Sequence, residues 1–201
     1  IELSHGILPV LMVLTMVASA IMGMGLPTSA CYIIVAVLIA PAMIKLGVVP
    51  MAAHLFAFYY ATLSAITPPV ALAAYAAAGI AKSAPMMTGI QASRFGITGF
   101  IVPFMFVYGP ALLMEGSWIE ILTACVSATF GVYAVSVAMM GWIFMRVPIW
   151  ARVLCFAAAL LLIKTGIYTD IAGYLILLAD VAVNYLARKR ERERGAVRAE
   201  L

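Results

Sequence analysis

An all-α integral membrane protein is the fold class this sequence predicts, and three observations carry the prediction. Of 201 residues, 66% are hydrophobic and only 10% are charged. The mean hydropathy is +1.15. The apolar residues fall in long continuous runs, not in short alternating strands. Soluble domains are about 45–50% apolar and about 25% charged. A folded domain of this size also leaves about 30% of its unfolded-chain surface exposed, so no water-soluble fold hides this much apolar area. A soluble enzyme, a nucleic-acid-binding domain and a disordered linker are excluded.

The elements follow from hydropathy and from Gly/Pro punctuation. A first apolar run, 6–22, ends in Gly23-Met24-Gly25-Leu26-Pro27, and a second spans 28–44. Each arm has about 17 residues, the lower limit for crossing a hydrocarbon core about 30 Å thick. Residues 6–44 therefore read as a re-entrant hairpin, with two full crossings as the alternative that the parity of the crossings leaves open. A third run, 50–66, meets Thr67-Pro68-Pro69 and resumes over 70–81. Two consecutive prolines lack two N–H donors and push the preceding residue out of the α region. Residues 50–81 thus read as one crossing built of two half-helices. A polar stretch, 82–94, precedes a helix over 95–114, which Pro103 and Pro110 kink or end, and a longer run over 118–145. Runs at 147–163 and 171–187 follow, and residues 188–201 form a charged tail, helical at most in its first turns.

The net charge of +4 belongs to that tail, where Arg188, Lys189, Arg190, Arg192, Arg194 and Arg198 stand beside Glu191, Glu193 and Glu200. It points to no nucleic-acid partner. With the tail in the cytoplasm, the positive-inside rule puts Arg146, Arg152, Lys82 and Arg94 inside and the Glu115 loop outside, leaving Lys45 and Lys164 as the outside basic residues. Trp118, Trp142, Trp150 and Tyr108 fall near run ends, as an interfacial aromatic belt requires. Cys31, Cys125 and Cys155 each stand alone in an apolar run and read as small packing residues.

Chemistry is expected at the two broken places, Gly23-Met24-Gly25-Leu26-Pro27-Thr28-Ser29 and Ser64-Ala65-Ile66-Thr67-Pro68-Pro69. Non-helical backbone survives in a bilayer only where protein or a watery cavity surrounds it. Each break leaves carbonyls at one half-helix end and N–H groups at the other, beside the hydroxyls of Thr28, Ser29, Ser64 and Thr67. Carbonyls and hydroxyls suit a hard cation such as Na⁺, and helix N-termini suit an anionic substrate. His54 is expected to make a structural hydrogen bond to a neighbouring helix, and His5 to lie solvated at the membrane edge. Asp180 is read as a bundle-facing or interfacial carboxylate, and Arg94 as opening a helix and snorkelling to headgroups. No zinc-protease, phosphate-loop or nucleophile-elbow motif occurs, so an enzyme finds no support.

Gly23-Met24-Gly25-Leu26-Pro27-Thr28, with Thr67-Pro68-Pro69-Val70-Ala71 and Ala78-Gly79-Ile80-Ala81, resembles the large membrane subunit of TRAP (tripartite ATP-independent periplasmic) transporters. The run Gly99-Phe100-Ile101-Val102-Pro103-Phe104-Met105-Phe106-Val107-Tyr108 with Pro110-Ala111-Leu112-Leu113 is similar to the fused permeases of the TAXI branch. The resemblance implies an elevator-type secondary transporter in the bacterial inner membrane, driven by a Na⁺ gradient and fed by a periplasmic solute-binding protein. It further implies two inverted repeats, each with a hairpin and a broken helix. Only one such unit is present, so residues 1–114 would be one transport-core repeat and 115–187 the C-terminal transmembrane helices. The first repeat and the small-subunit helices are expected upstream of Ile1, and the segment alone could not transport.

In that frame Gly23, Gly25, Thr28, Ser64, Ile66 and Thr67 are the expected ion ligands, and Pro27, Ser29, Pro68 and Pro69 line the site for an organic anion. Na⁺ is the coupling ion, with no other metal and no cofactor. The ligands are neutral oxygens, and the nearest acidic residues in sequence are Glu2 and Glu115, which favours a monovalent cation over Ca²⁺ or Mg²⁺. In the alternative reading of Thr67, its hydroxyl merely caps the half-helix beginning at Pro68. A channel or structural subunit of a membrane complex is the alternative function.

Overall fold

A computed structural model describes residues 6–23, 25–163 and 166–199, so His5, Met24 and Lys164 lie outside the described residues. The fold is all-α, and among the described residues there is no strand, only an isolated bridge between Trp142 and Arg146. Among the described residues, four helical stretches are long and apolar enough to cross a membrane: Thr28–Lys45, Pro85–Tyr108, Trp118–Met140 and Thr169–Leu186. Leu8–Met22, Leu72–Ala81 and Ile149–Ile163 are shorter apolar helices. The chain divides into two compact units, residues 1–121 and 122–201.

In the first unit, α1 (Leu8–Met22) and α2 (Thr28–Lys45) form the hairpin, joined by the glycine-rich tip. α3 (Pro50–Leu63) packs on both arms. Its Ala52, Ala53, Ala57 and Ala61 are all buried, and such small side chains let membrane helices approach closely where no hydrophobic force drives them together. Cys31 and Val35 of α2 pack on Ala57 and Ala61. Met12, Met43, Phe56 and Tyr60 are fully buried in the main core, against Phe100 and Phe104. The Phe56 ring lies 5.3 Å from that of Phe104, nearly perpendicular, and the Tyr60 hydroxyl donates to the Phe100 carbonyl. The expected hydrogen bond of His54 is present, between its Nδ1 and the Tyr32 hydroxyl of α2, 3.2 Å apart.

A 3₁₀ turn, Ser64–Ile66, ends α3, and α4 (Leu72–Ala81) starts five residues beyond Ile66's neighbour Thr67, so the helix over 50–81 is broken as predicted. The second half begins at Leu72 and not at 70, because Ala71 sits in the left-handed region at φ +35° after Pro68 and Pro69. The stretch 82–94, expected as a polar connection, is instead helical: α5 is Pro85–Phe95. Proline suits a first helical position, and the residues after it are mostly adequate helix formers. Arg94 thus lies in the last turn of α5, where a cation complements the helix dipole, and does not open a helix. The helix predicted over 95–114 is α6, Ile97–Tyr108, which tolerates Pro103 within it. It stops at Gly109 because Pro110 disfavours a helical conformation at the residue before it, and a 3₁₀ turn covers Pro110–Leu113.

The second unit holds most of α7 (Trp118–Met140), with α8 (Ile149–Ile163) and α9 (Ile167–Ala199). Ser117 and Glu120 form a reciprocal cap at the start of α7, the Ser117 N–H donating to Glu120 Oε2 at 2.9 Å. Gly141 ends α7 at φ +67°, and a Cβ there would meet Arg152 Nε at 3.2 Å. Gly173 of α9 lies so close to α8 that a Cβ would sit 2.6 Å from Leu162 Cγ. The Ser127 and Tyr174 hydroxyls pair at 2.9 Å. Asp180 is buried and bundle-facing, and it accepts a hydrogen bond from Cys155 Sγ at 3.2 Å. Cys155 is therefore more than the packing residue expected from its apolar run, while Cys125 is exposed. The tail also departs from expectation, since α9 continues to Ala199. Arg, Lys and Glu are strong helix formers, and extending an existing helix avoids the cost of nucleation.

Tyr60 is the joint between α3 and α6. Tyr60→Phe, which removes only the bond to Phe100, should cost about 1 kcal/mol, whereas Tyr60→Ala, which opens a cavity, should cost about 3–5 kcal/mol. Thermal unfolding of the purified protein in detergent measures both.

Candidate functional site

Several polar groups of the broken backbone between α3 and α4 are satisfied from within. The Ser64 hydroxyl donates to the Ala61 carbonyl at 2.6 Å, and the Thr67 hydroxyl to the Leu63 carbonyl at 2.7 Å. Ser93 of α5 donates to the Ile66 carbonyl at 2.9 Å, and the Tyr75 hydroxyl donates to the Pro69 carbonyl. The backbone adds Thr67 N–H to the Ser64 carbonyl and Ala71 N–H to the Thr67 carbonyl, at 3.2 and 3.1 Å. Thr67 therefore serves the end of α3. The capping alternative is not what the structure contains, because α4 starts at Leu72 with Ala71 as its N-cap and no side-chain cap. A hydroxyl whose proton is committed to a carbonyl presents only lone pairs to anything else nearby, which is the property a cation ligand needs.

The hairpin tip meets this break at one point. Gly23 is buried directly against Ser64, and a Cβ on Gly23 would collide with the Ser64 hydroxymethyl group. The structure thus brings Gly23 onto Ser64, the first residue of the 3₁₀ turn that leads through Ile66 to Thr67. The rest of the tip is more open: Gly25 has nothing within 4 Å of where a Cβ would stand. Pro27 and Ser29 are exposed and Thr28 is half-buried at the start of α2. Pro68 is half-buried and Pro69 exposed, joined by a cis peptide bond. Met24, between the two tip glycines, lies outside the described residues.

One wall of the site comes from residues that sequence reasoning passed over. Gly89, Ser93 and Gly96 form a small-residue stripe that runs along α5 and onto Gly96 beyond its end. A Cβ on Gly89 would stand 3.0 Å from Tyr75 and 3.2 Å from Pro68, and one on Gly96 2.7 Å from Ile66 Cδ1. The spacing of four and three residues was the available signal, since small residues at that interval mark close helix packing in membranes. Below the tip, the Ser19 hydroxyl is buried without a hydrogen-bond partner among the described residues, although the Ser19 carbonyl accepts from Gly23 N–H at 2.9 Å and from Cys31 Sγ at 3.6 Å.

The hairpin tip is thus seated on the broken helix, whose Ser64 and Thr67 hydroxyls donate to carbonyls of their own chain. The family model for the tripartite ATP-independent periplasmic transporter, DctM component, matches residues 1–122. The chain belongs to this family. The match covers the hairpin, the broken helix and α6, and it ends where the first compact unit of this DctM-family chain ends. DctM proteins are membrane permease components of transporters, a transporter family and not an enzyme family. No curated protein and no solved structure matches the chain significantly.

The contact between tip and break is testable by exchanging its two side chains. Gly23→Ala should destabilise the protein by about 1–3 kcal/mol through overpacking. Adding Ser64→Gly removes the colliding atoms and should restore most of the loss. Thermal unfolding of the single and double variants gives the comparison, and equal stability of the two would mean that the contact is not tight.

Proposed function

We propose that this chain is the C-terminal transport-core portion of a TRAP-type permease, of the fused TAXI kind, that imports an organic anion on a Na⁺ gradient. A periplasmic solute-binding protein delivers the anion. The observation that carries the reading is the seating of Gly23 on Ser64, beside a break whose Ser64 and Thr67 hydroxyls donate hydrogen bonds to carbonyls. Carbonyls of Gly23, Gly25 and Ile66 with the hydroxyls of Ser64, Thr67 and Thr28 supply neutral oxygens for Na⁺. Pro27, Ser29, Pro68 and Pro69 form the adjoining surface for the substrate. The Ile66 carbonyl has two lone pairs, so its bond from Ser93 leaves one for an ion. Two arms near the lower limit for crossing favour a hairpin that dips into the membrane from the periplasm. The protein then resides in the bacterial inner membrane with its tail in the cytoplasm, where truncation after Ala187 leaves uptake within a few-fold of the parent.

Uptake by the complete permease tests the ion site. Thr67→Ala should raise the Na⁺ concentration for half-maximal uptake about tenfold, the equivalent of ~1.4 kcal/mol of lost ion binding. Thr67→Ser keeps the hydroxyl and should be much milder. An unchanged Na⁺ curve in well-inserted Thr67→Ala would remove Thr67 from the ligand set. The hairpin has its own check, because a cysteine at Leu26 should label poorly with membrane-impermeant thiol reagents from the cytoplasm. Strong labelling there, unaffected by Na⁺ or substrate, would mean two full crossings.

A further inference from the structure

We propose that the end of the second unit where α7 meets α8 binds one anionic phospholipid, with its phosphate on Arg152 and an acyl chain lying along α8. A groove there is lined by Ala138 and Met139 of α7 and by Ile149, Arg152, Val153 and Phe156 of α8. Arg152 is the one charged residue in that wall. Ile149, Val153 and Phe156 recur at intervals of four and three and so share one helix face, which Leu160 continues. Ile149 and Val153 are 77% and 62% exposed. From Ile149 to Leu160 this apolar face extends about 16 Å away from the arginine end.

The arginine is held in place before any ligand arrives. Its Nε donates to the Ala138 carbonyl at 2.7 Å and its Nη2 to the Met139 carbonyl at 3.0 Å. These bonds use two of the five N–H groups of the guanidinium and fix its plane. A pinned arginine loses little side-chain entropy on meeting a phosphate. Further positive charge gathers at the same end. Arg146 is exposed in the α7–α8 loop, and the Arg188 guanidinium stands 5.5 Å over the Phe144 ring of that loop. Asn184 Oδ1 accepts from the N–H groups of Phe144 and Met145 at 3.1 and 3.3 Å, which ties the loop to α9. Trp142 and Trp150 are each 57% exposed beside it, the position that indole rings take at headgroup level. A free anion would meet the arginine and leave the groove uncovered. A zwitterionic lipid would cover the groove without matching the charge. The combination favours an anionic lipid.

Quenching of Trp150 by brominated lipids reads the site directly. Trp118→Phe with Trp142→Phe leaves Trp150 as the single tryptophan of the three. In phosphatidylcholine vesicles containing the full chain, brominated phosphatidylglycerol should occupy the site with about fivefold preference over brominated phosphatidylcholine, the fold-change expected of one basic residue at an anionic surface. Arg152→Gln should bring the preference to near unity. Because that change also unties the end of α7, Ile149→Glu is the second variant. It puts a carboxylate in the groove, and an acidic first-turn residue suits a helix N-terminus, so the fold is retained. Its preference should also fall to unity or below. Equal quenching by the two lipids in the parent, or an unmoved preference in Ile149→Glu, overturns the proposal. So does loss of the preference on adding inorganic phosphate, which would mark a site for a free anion.

Discussion

Backbone polar groups that water cannot reach must find partners in the protein, and the break between α3 and α4 is where that requirement presses hardest. Opening a helix at membrane depth strands its last carbonyls, at several kcal/mol for each one left unpaired. Here Ser64 and Thr67 turn back onto the carbonyls of Ala61 and Leu63, while Ser93 and Tyr75 reach the carbonyls of Ile66 and Pro69. The surroundings follow from this arrangement. α5 must lie close enough for a serine hydroxyl to reach the break, so glycines occupy its contact face at Gly89 and beyond its end at Gly96. Ala71 holds a left-handed conformation that costs about 1–2 kcal/mol for a residue with a Cβ, and it is fully buried where its neighbours over-determine it.

The same economy governs the second unit. Arg152 closes the carbonyl end of α7, Asn184 takes up two loop N–H groups, and Asp180 receives the Cys155 thiol. Each of these three polar side chains is matched to a backbone group or to another side chain, which is how a bundle carries them through an apolar medium. The permease family's match stops where this unit starts, so its arginine-lined groove lies outside the part of the chain that the family describes.

The hairpin and the broken helix were readable because glycine and proline act locally. Gly23-Met24-Gly25-Leu26-Pro27 and Thr67-Pro68-Pro69 leave no unbroken helix whatever surrounds them. His54 and Asp180 were readable too, since a polar group within an apolar run must face a partner. The helix at 85–95 was hidden because its low hydropathy resembles a connection, and its role rests on Gly89, Ser93 and Gly96 meeting residues that stand about 14–30 positions earlier. The helical tail was hidden by its charge, which speaks for solvation and is silent about helix propagation from the apolar half of α9.

By itself the sequence determined the class of solvent, the number and order of apolar runs and the two places where helix is impossible. All of these depend on composition and on residues within a turn of one another. Tertiary structure alone decided that Gly23 rests on Ser64, that Thr67 bonds backward to Leu63, that Ser93 reaches Ile66 and that Cys155 finds Asp180. Pairings of that kind depend on how closely helices approach. In a membrane the approach is set by the small side chains of both partners together, a quantity that no single stretch of sequence contains.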